Sequence, residues 1–198
     1  MIYSLFHVLS YQTKKNQIKK FFNIAKKNLK KVFNDLQISP AVDAMTPHAI
    51  DNFVQTHQIP IMKPIRAGKI GCFFSHYTQW KNLLNSLYPA VLVMEDDIVP
   101  QEGFNQKLDA ILEELPPTFD ILYLQLDECK NYQNRKGENY SSLLRKDVPR
   151  EDTSAYLISR KGANKLVTQM KNIKEALGPM LKKQIESNNL ETYTIKNA

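Results

Sequence analysis

A chain of 198 residues that is 42% hydrophobic and 24% charged, with six glycines and ten prolines, can bury one sizeable core and has neither the composition of a disordered nor that of a fibrous protein. Its net charge of +7 is local: residues 14–31 hold eight lysines and no acid, so the rest of the chain carries a net charge of −1. No window reaches the ~18–20 apolar residues that span a bilayer, and Met1–Leu9 lacks the basic leader of a cleavable signal. The expectation is a single domain over residues 1–198, cytoplasmic and either soluble or peripheral to a membrane. Cys72 and Cys129, without C-x-x-C spacing, fit a reducing compartment in which both stay thiols.

In chain order, the apolar stretch Ile2–Leu9 predicts a strand running into a helix over residues 13–36. There Ile18, Phe22, Ala25, Leu29, Val32 and Leu36 recur at three- or four-residue steps, with the lysines around the other face. Such a helix either docks its apolar stripe on its own sheet or lies along an anionic membrane through Lys14–Lys31. The lysine face has no interleaved aromatics and no recognition motif, which argues against nucleic acid as a partner. Ile38–Val42 predicts a second strand, and Thr46-Pro47 a helix start with threonine as cap, reaching His57. Residues 58–65 are broken by prolines.

From Ala67 to Leu87 the positions of Ile70, Phe73, Phe74, Tyr77, Trp80, Leu84 and Leu87 predict a well-packed helix closed by Pro89. Phe104 to Leu115 predicts another, stopped by Pro116-Pro117, and Asp120–Gln125 a strand. Residues 127–152 are polar and aperiodic, a long loop of the kind that covers sites. Ser154–Ser159 reads as a strand, followed by helices over Lys161–Leu177 and Pro179–Ser187 and a last, edge strand at Thr192–Ile195. Alternating strands and helices predict an α/β domain with a largely parallel central sheet flanked by helices.

The apolar run Ala90–Met94 ends in Glu95, Asp96 and Asp97. A run without alternation suits a strand covered on both faces, and ligands gather beyond the carboxyl ends of such strands. Three adjacent carboxylates repel one another unless water, a cation or a basic partner compensates them, and oxygen ligands favour Mg2+ or Mn2+. Taken alone, the acids read either as a metal site or as a solvated turn, and spacing by itself favours the turn. His76 similarly reads either as a hydrogen-bonded core histidine or as a ligand contact.

Three blocks act together: Gly68-Lys-Ile-Gly-Cys-Phe-Phe-Ser-His-Tyr-Thr-Gln-Trp80, Val91-Leu-Val-Met-Glu-Asp-Asp97 and Ala155-Tyr-Leu-Ile-Ser-Arg-Lys-Gly-Ala-Asn-Lys-Leu166. In this order they resemble glycosyltransferase family 25, lipooligosaccharide-type enzymes that also include collagen galactosyltransferases. Ala41–Ala44 and Asp120–Leu124 fit the same pattern, so the resemblance covers about residues 38–177. It implies a GT-A-like fold and an inverting transfer of a hexose, galactose or glucose, from a UDP-hexose donor to a lipooligosaccharide or other glycan or glycolipid acceptor.

On that resemblance Glu95 and Asp97 hold Mn2+ or Mg2+ with the donor diphosphate, Asp96 orients ribose or backbone, and Gly71, Ser75 and His76 lie at the donor. An inverting transfer also needs a base for the acceptor hydroxyl. Asp152 is the first candidate, with Glu151 and Asp127 behind it, whereas Tyr156 and Ser159 read as packing and capping residues. Two positions depart from the pattern: Lys69 stands where relatives often carry an acid, and Gly178-Pro-Met-Leu-Lys182 lacks the acid that commonly follows this turn. The alternative reading is a catalytically impaired relative that binds a nucleotide-sugar or glycan.

Overall fold

Parallel strands β1 (Phe6–Ser10) and β2 (Leu36–Pro40) lead into helices α1 (Ala49–His57) and α2 (Ala67–Leu84), then β3 (Ala90–Glu95) and α3 (Phe104–Glu114). β4 (Ile121–Tyr123), a short pair β5 (Glu138–Asn139) and β6 (Leu144–Lys146), and β7 (Ala155–Ser159) follow. Helices α4 (Arg160–Gln169) and α5 (Leu177–Glu186) and strand β8 (Thr192–Ile195) complete the fold. The structure, a computed structural model, describes residues 6–10, 36–95, 98, 103–124 and 138–196.

All eight strands join one sheet in the order β2-β1-β3-β7-β4-β8-β6-β5. The α/β class with a helix-flanked central sheet is what the sequence predicts, with one refinement. β2, β1, β3, β4, β8 and β5 run one way, while β7 and β6 run against them, so β7 sits antiparallel between β3 and β4. That reversal brings the segment before β7 to the same edge as the end of β3.

The unbroken apolar run of β3 is explained by a core on each face, reached by alternate side chains. Val91 and Val93 join Tyr156, Ile158, Ile121 and Tyr123 under α2, α4 and α5. Leu92 and Met94 join Leu122, Leu157 and Tyr193 over Leu108 and Ile111 of α3 and Leu115 at its end.

Several expected boundaries move. The helix predicted over residues 13–36 lies outside the described residues, apart from Leu36, which opens β2. Thr46 does not cap α1. It closes a turn by accepting from the Ala49 N–H, and the cap position falls to His48, in left-handed backbone at φ 61°. α2 stops at Leu84, leaving Leu87 fully exposed. The predicted helix to Leu177 stops at Gln169, because Ile173 is drawn into a bridge with Ile61, flanked by Ile173 N–H to Pro60 O and Met62 N–H to Ile173 O. The expected loop contains the β5–β6 hairpin, whose turn is held by Ser141, Ser142 and the Leu143 N–H donating to Glu114. β8 is an inner strand between β4 and β6, not an edge.

Candidate active site

The sheet changes winding direction at β1, with β2 on one side and β3 on the other, and the crevice beyond the carboxyl ends at such a reversal is the usual ligand site of α/β sheets. Glu95, paired with Leu9, is the last residue of β3 and stands at that end. Its backbone N–H donates to Ser154 O at 2.7 Å, which joins β3 to the segment entering β7.

Helix α2 serves this edge with two stripes, each set by the four-residue repeat of a helix face. Gly71 and Ser75 form the first. A Cβ on Gly71 would come within 2.5 Å of Val42 O, so only glycine lets the Val42–Ala44 turn lie against the helix. Ser75 Oγ accepts from the Val42 N–H at 2.8 Å and donates to Gly71 O at 2.7 Å. Both residues therefore anchor the turn that follows β2.

Cys72, His76 and Trp80 form the second stripe, over β7. His76 is buried, with Nδ1 2.8 Å from Tyr156 Oη and Nε2 3.4 Å from Glu95 Oε1. Trp80 Nε1–H donates to the same Tyr156 oxygen at 3.0 Å. Burial of Tyr156 pushes its pKa well above the ordinary phenol value, against the Trp80 hydrogen bond, so it stays a neutral hydroxyl. Burial of His76 opposes its charge, but the adjacent Cys72 and Glu95 side chains outweigh it and raise its pKa to about 8.

Glu95 also accepts from Thr153 Oγ1 at 3.0 Å. The hydrogen bond from His76 holds its carboxyl below the usual range; partial burial works the other way, and the charge of His76, the Thr153 hydroxyl and the charge of Lys69 add to the lowering. Its side chain is 31% exposed, so an ionised, braced carboxylate faces the crevice with part of its surface open. Thr153 carries no sequence signal. Tyr156, read from sequence as packing, is the hinge of this network.

Asp152 lies one residue before Thr153. Its Oδ1 accepts from the Ser154 N–H at 2.9 Å and Ser154 Oγ at 2.6 Å, and its Oδ2 is 3.9 Å from Arg150 Nη2. The Arg150 guanidinium in turn sits 5.5 Å from the ring centre of Tyr123. Asp152 thus braces the turn into β7 at the same edge as Glu95. Asp96, Asp97 and Asp127 lie outside the described residues.

A hard cation such as Mn2+ or Mg2+ takes oxygen ligands. Beside Glu95 the described residues offer the His76 nitrogen and the Cys72 sulfur, with all three ligand atoms within 4.8 Å of one another, and the Thr153 hydroxyl. Among the described residues this mixed set is not an oxygen cage.

Beyond Tyr156, the third sequence block is structural. Ser159 caps α4 by accepting from the Gly162 N–H at 3.0 Å, as its position predicts. Arg160 donates to Leu84 O, Ser86 O and Tyr88 O, closing the end of α2. A Cβ on Gly162 would meet Asp120 O at 2.5 Å. Gly178 packs in the same way on the backbone of Glu151, whose side chain pairs with Lys182 at 3.1 Å.

The profile of the family described as glycosyltransferase family 25 (LPS biosynthesis protein) matches residues 7–181. Human procollagen galactosyltransferase 2 is 30% identical over 109 residues, 53% of this chain and 17% of that protein. Procollagen galactosyltransferase 1-A of Xenopus laevis is 30% identical over 149 residues, 69% of this chain and 22% of that protein. A bovine relative named "Probable inactive glycosyltransferase 25 family member 3" is 28% identical over 108 residues, 53% of this chain and 18% of that protein. The chain spans about a fifth of the length of these relatives. With the profile match running from β1 into α5 across both stripes of α2, Glu95 and the β7–α4 block, the chain belongs to glycosyltransferase family 25.

Proposed function

We propose that this chain moves a hexose, galactose or glucose, from a UDP-sugar to a lipooligosaccharide or other surface-glycan acceptor, with inversion at the transferred carbon. What supports this most is the Glu95 carboxylate: it is ionised, braced by His76 and Thr153, part-open, and placed where α/β sheets bind ligands. The transferase family, and relatives named as galactosyltransferases, support the reaction class and the hexose. In the proposed step the acceptor hydroxyl oxygen attacks the anomeric carbon. The bond to the diphosphate oxygen breaks, UDP leaves with the electron pair, and the hydroxyl proton passes to Asp152.

The roles divide by position. Glu95 and Asp96 orient the donor, with His76 fixing the Glu95 carboxylate; Gly71 and Ser75 act through the Val42–Ala44 turn that they anchor. A Mn2+ or Mg2+ ion shared by Glu95 and Asp97 belongs to the proposal, as do the cytoplasmic location and attachment to an anionic membrane through Lys14–Lys31. Among the described residues, no helix is long and apolar enough to cross a membrane.

Thermal melts with UDP-, GDP- and CMP-sugars, with and without Mn2+, test the donor and the metal. A UDP-hexose at about a hundred times its dissociation constant stabilises by ~2.7 kcal/mol. Melting unchanged by every donor sinks the reading. UDP release on adding a glycan acceptor tests transfer, and Asp152→Asn is expected to slow it by about a hundredfold or more.

A second reading, a relative that binds donor without turnover, is favoured by one observation. Lys182, in α5 after Gly178-Pro179, pairs with Glu151 at 3.1 Å, where the family resemblance leads to the expectation of an acid. Donor-dependent stabilisation without UDP release from any acceptor would select it.

A further inference from the structure

We propose that Cys72, His76 and Glu95 form a binding site for a borderline, thiophilic divalent cation of the Zn2+ class. The site shares His76 and Glu95 with the proposed donor site, and its sulfur and nitrogen donors set it apart in chemistry from a Mg2+ or Mn2+ site.

Cys72 and His76 are four residues apart on α2, so both side chains project from one face, and Glu95 approaches that face from the end of β3. One ligand atom from each, Sγ, an imidazole nitrogen and a carboxylate oxygen, already lies within 4.8 Å of the other two.

The separation of His76 Nε2 from Glu95 Oε1, 3.4 Å, is long for a charge-assisted hydrogen bond, which closes to about 2.7–2.9 Å. It matches the edge of a tetrahedron around zinc. With zinc–nitrogen and zinc–oxygen bonds of about 2.0–2.1 Å, two ligands stand about 3.3 Å apart. The thiol, within 4.8 Å of both, belongs to a partly exposed side chain.

Ligand type points the same way. Sulfur and nitrogen donors suit zinc and are poor partners for Mg2+ or Mn2+. A metal-bound imidazole commonly uses its other nitrogen to reach an outer partner that fixes the ring, and Tyr156 Oη occupies that place at 2.8 Å from Nδ1. Thr153 holds the carboxylate similarly. On binding, the ion replaces the thiol proton and the proton on Nε2, both released to solvent, and Nδ1–H donates to Tyr156. Thiolate and carboxylate then balance the two charges of the ion. Three protein ligands leave a fourth position for water, the pattern of open rather than purely structural zinc sites.

The test uses the full chain, stripped with chelator, loaded with Zn2+ alone, passed through a desalting column and assayed for bound metal. Retention of one zinc per chain is expected, with hundredfold excess Mg2+ failing to displace it. Co2+ in its place is expected to give a near-ultraviolet sulfur-to-cobalt band. Cys72→Ser, His76→Gln and Glu95→Gln are each expected to lower retained zinc at least tenfold, whereas Cys129→Ser keeps it. Glu95→Gln, at the open side of the cluster, still decides the matter if Cys72→Ser or His76→Gln fails to fold. No retained zinc, undiminished retention in Glu95→Gln or in a folded Cys72→Ser, loss in Cys129→Ser, or cobalt without the sulfur band would each overturn the site. No nucleotide is present, so the result stands apart from the donor melts.

Discussion

Asp120 and Glu95 are both carboxylates at strand ends, and they are held in opposite ways. Asp120, just before β4, is fully buried. Its Oδ2 takes Lys165 Nζ at 2.5 Å and the Glu191 N–H at 2.8 Å, with Lys161 Nζ 3.4 Å from Oδ1. Glu95, at the other end of the sheet, meets a histidine and a hydroxyl and keeps part of its surface open. The first is paired with two permanent cations, which makes it a fastener between β4, α4 and the strand entry at Glu191. The second is oriented by groups that can exchange protons and partners, which suits an acid that must still meet a ligand.

The contrast breaks if substitution at the two acids has the same consequence. Asp120→Asn is expected to lose about 3 kcal/mol in urea denaturation, the low end for breaking a buried pair, because Lys161 and Lys165 reach solvent. Glu95→Gln is expected to stay within about 1 kcal/mol of the parent in the same measurement. UDP release by Glu95→Gln is instead expected to fall about a hundredfold, the scale for losing one charged contact in a transition state. A destabilised Glu95→Gln with full turnover would reverse the assignment.

His76 sharpens the comparison through pH. Its pKa is raised from 6.5 to about 8 in the folded chain. The resulting stability is fully present below pH 6.5 and is lost as pH rises through 8, a span of about 2 kcal/mol. Denaturation of the parent and of Glu95→Gln across this window is expected to show a shallower loss in the variant, because Glu95 supplies part of the shift. Equal slopes would uncouple the pair.

The smallest effect concerns the turn behind the site. Ser75→Ala leaves the Val42 N–H without its acceptor and is expected to cost about 1 kcal/mol. If Ser75 acts only through that turn, the variant should raise the donor KM more than it lowers kcat. An equal loss in both would put Ser75 on the substrate.

Much of the α/β frame was legible because its signals are local. The run into Glu95 has no polar interruption, and the α2 positions repeat at helical spacing, so β3 and α2 fall close to where the sequence places them. The Cys72-His76-Trp80 stripe follows from the same arithmetic. What was not legible depends on distant partners. β5 and β6 are two and three residues long, polar but for Leu144, and exist because Glu114 and β8 hold them. The predicted helix beyond Gln169 gives way to a bridge with Ile61, more than a hundred residues earlier. Thr153 has no pattern of its own; it reaches Glu95 because β7 runs antiparallel to β3, a fact of sheet topology.

The inner position of β8 sets the order in which this molecule can assemble. β4 must wait for a partner 71 residues later, Ile121 against Thr192, and β6 must wait for the same strand, Leu144 against Ile195. Until those residues arrive, β4 and β6 each expose an unsatisfied edge able to capture another chain. Closing such long loops is the slow part of folding in sheets of high contact order. Strands β4, β6 and β8 should therefore gain hydrogen-exchange protection together and last during refolding, well after α2 and β3 have packed.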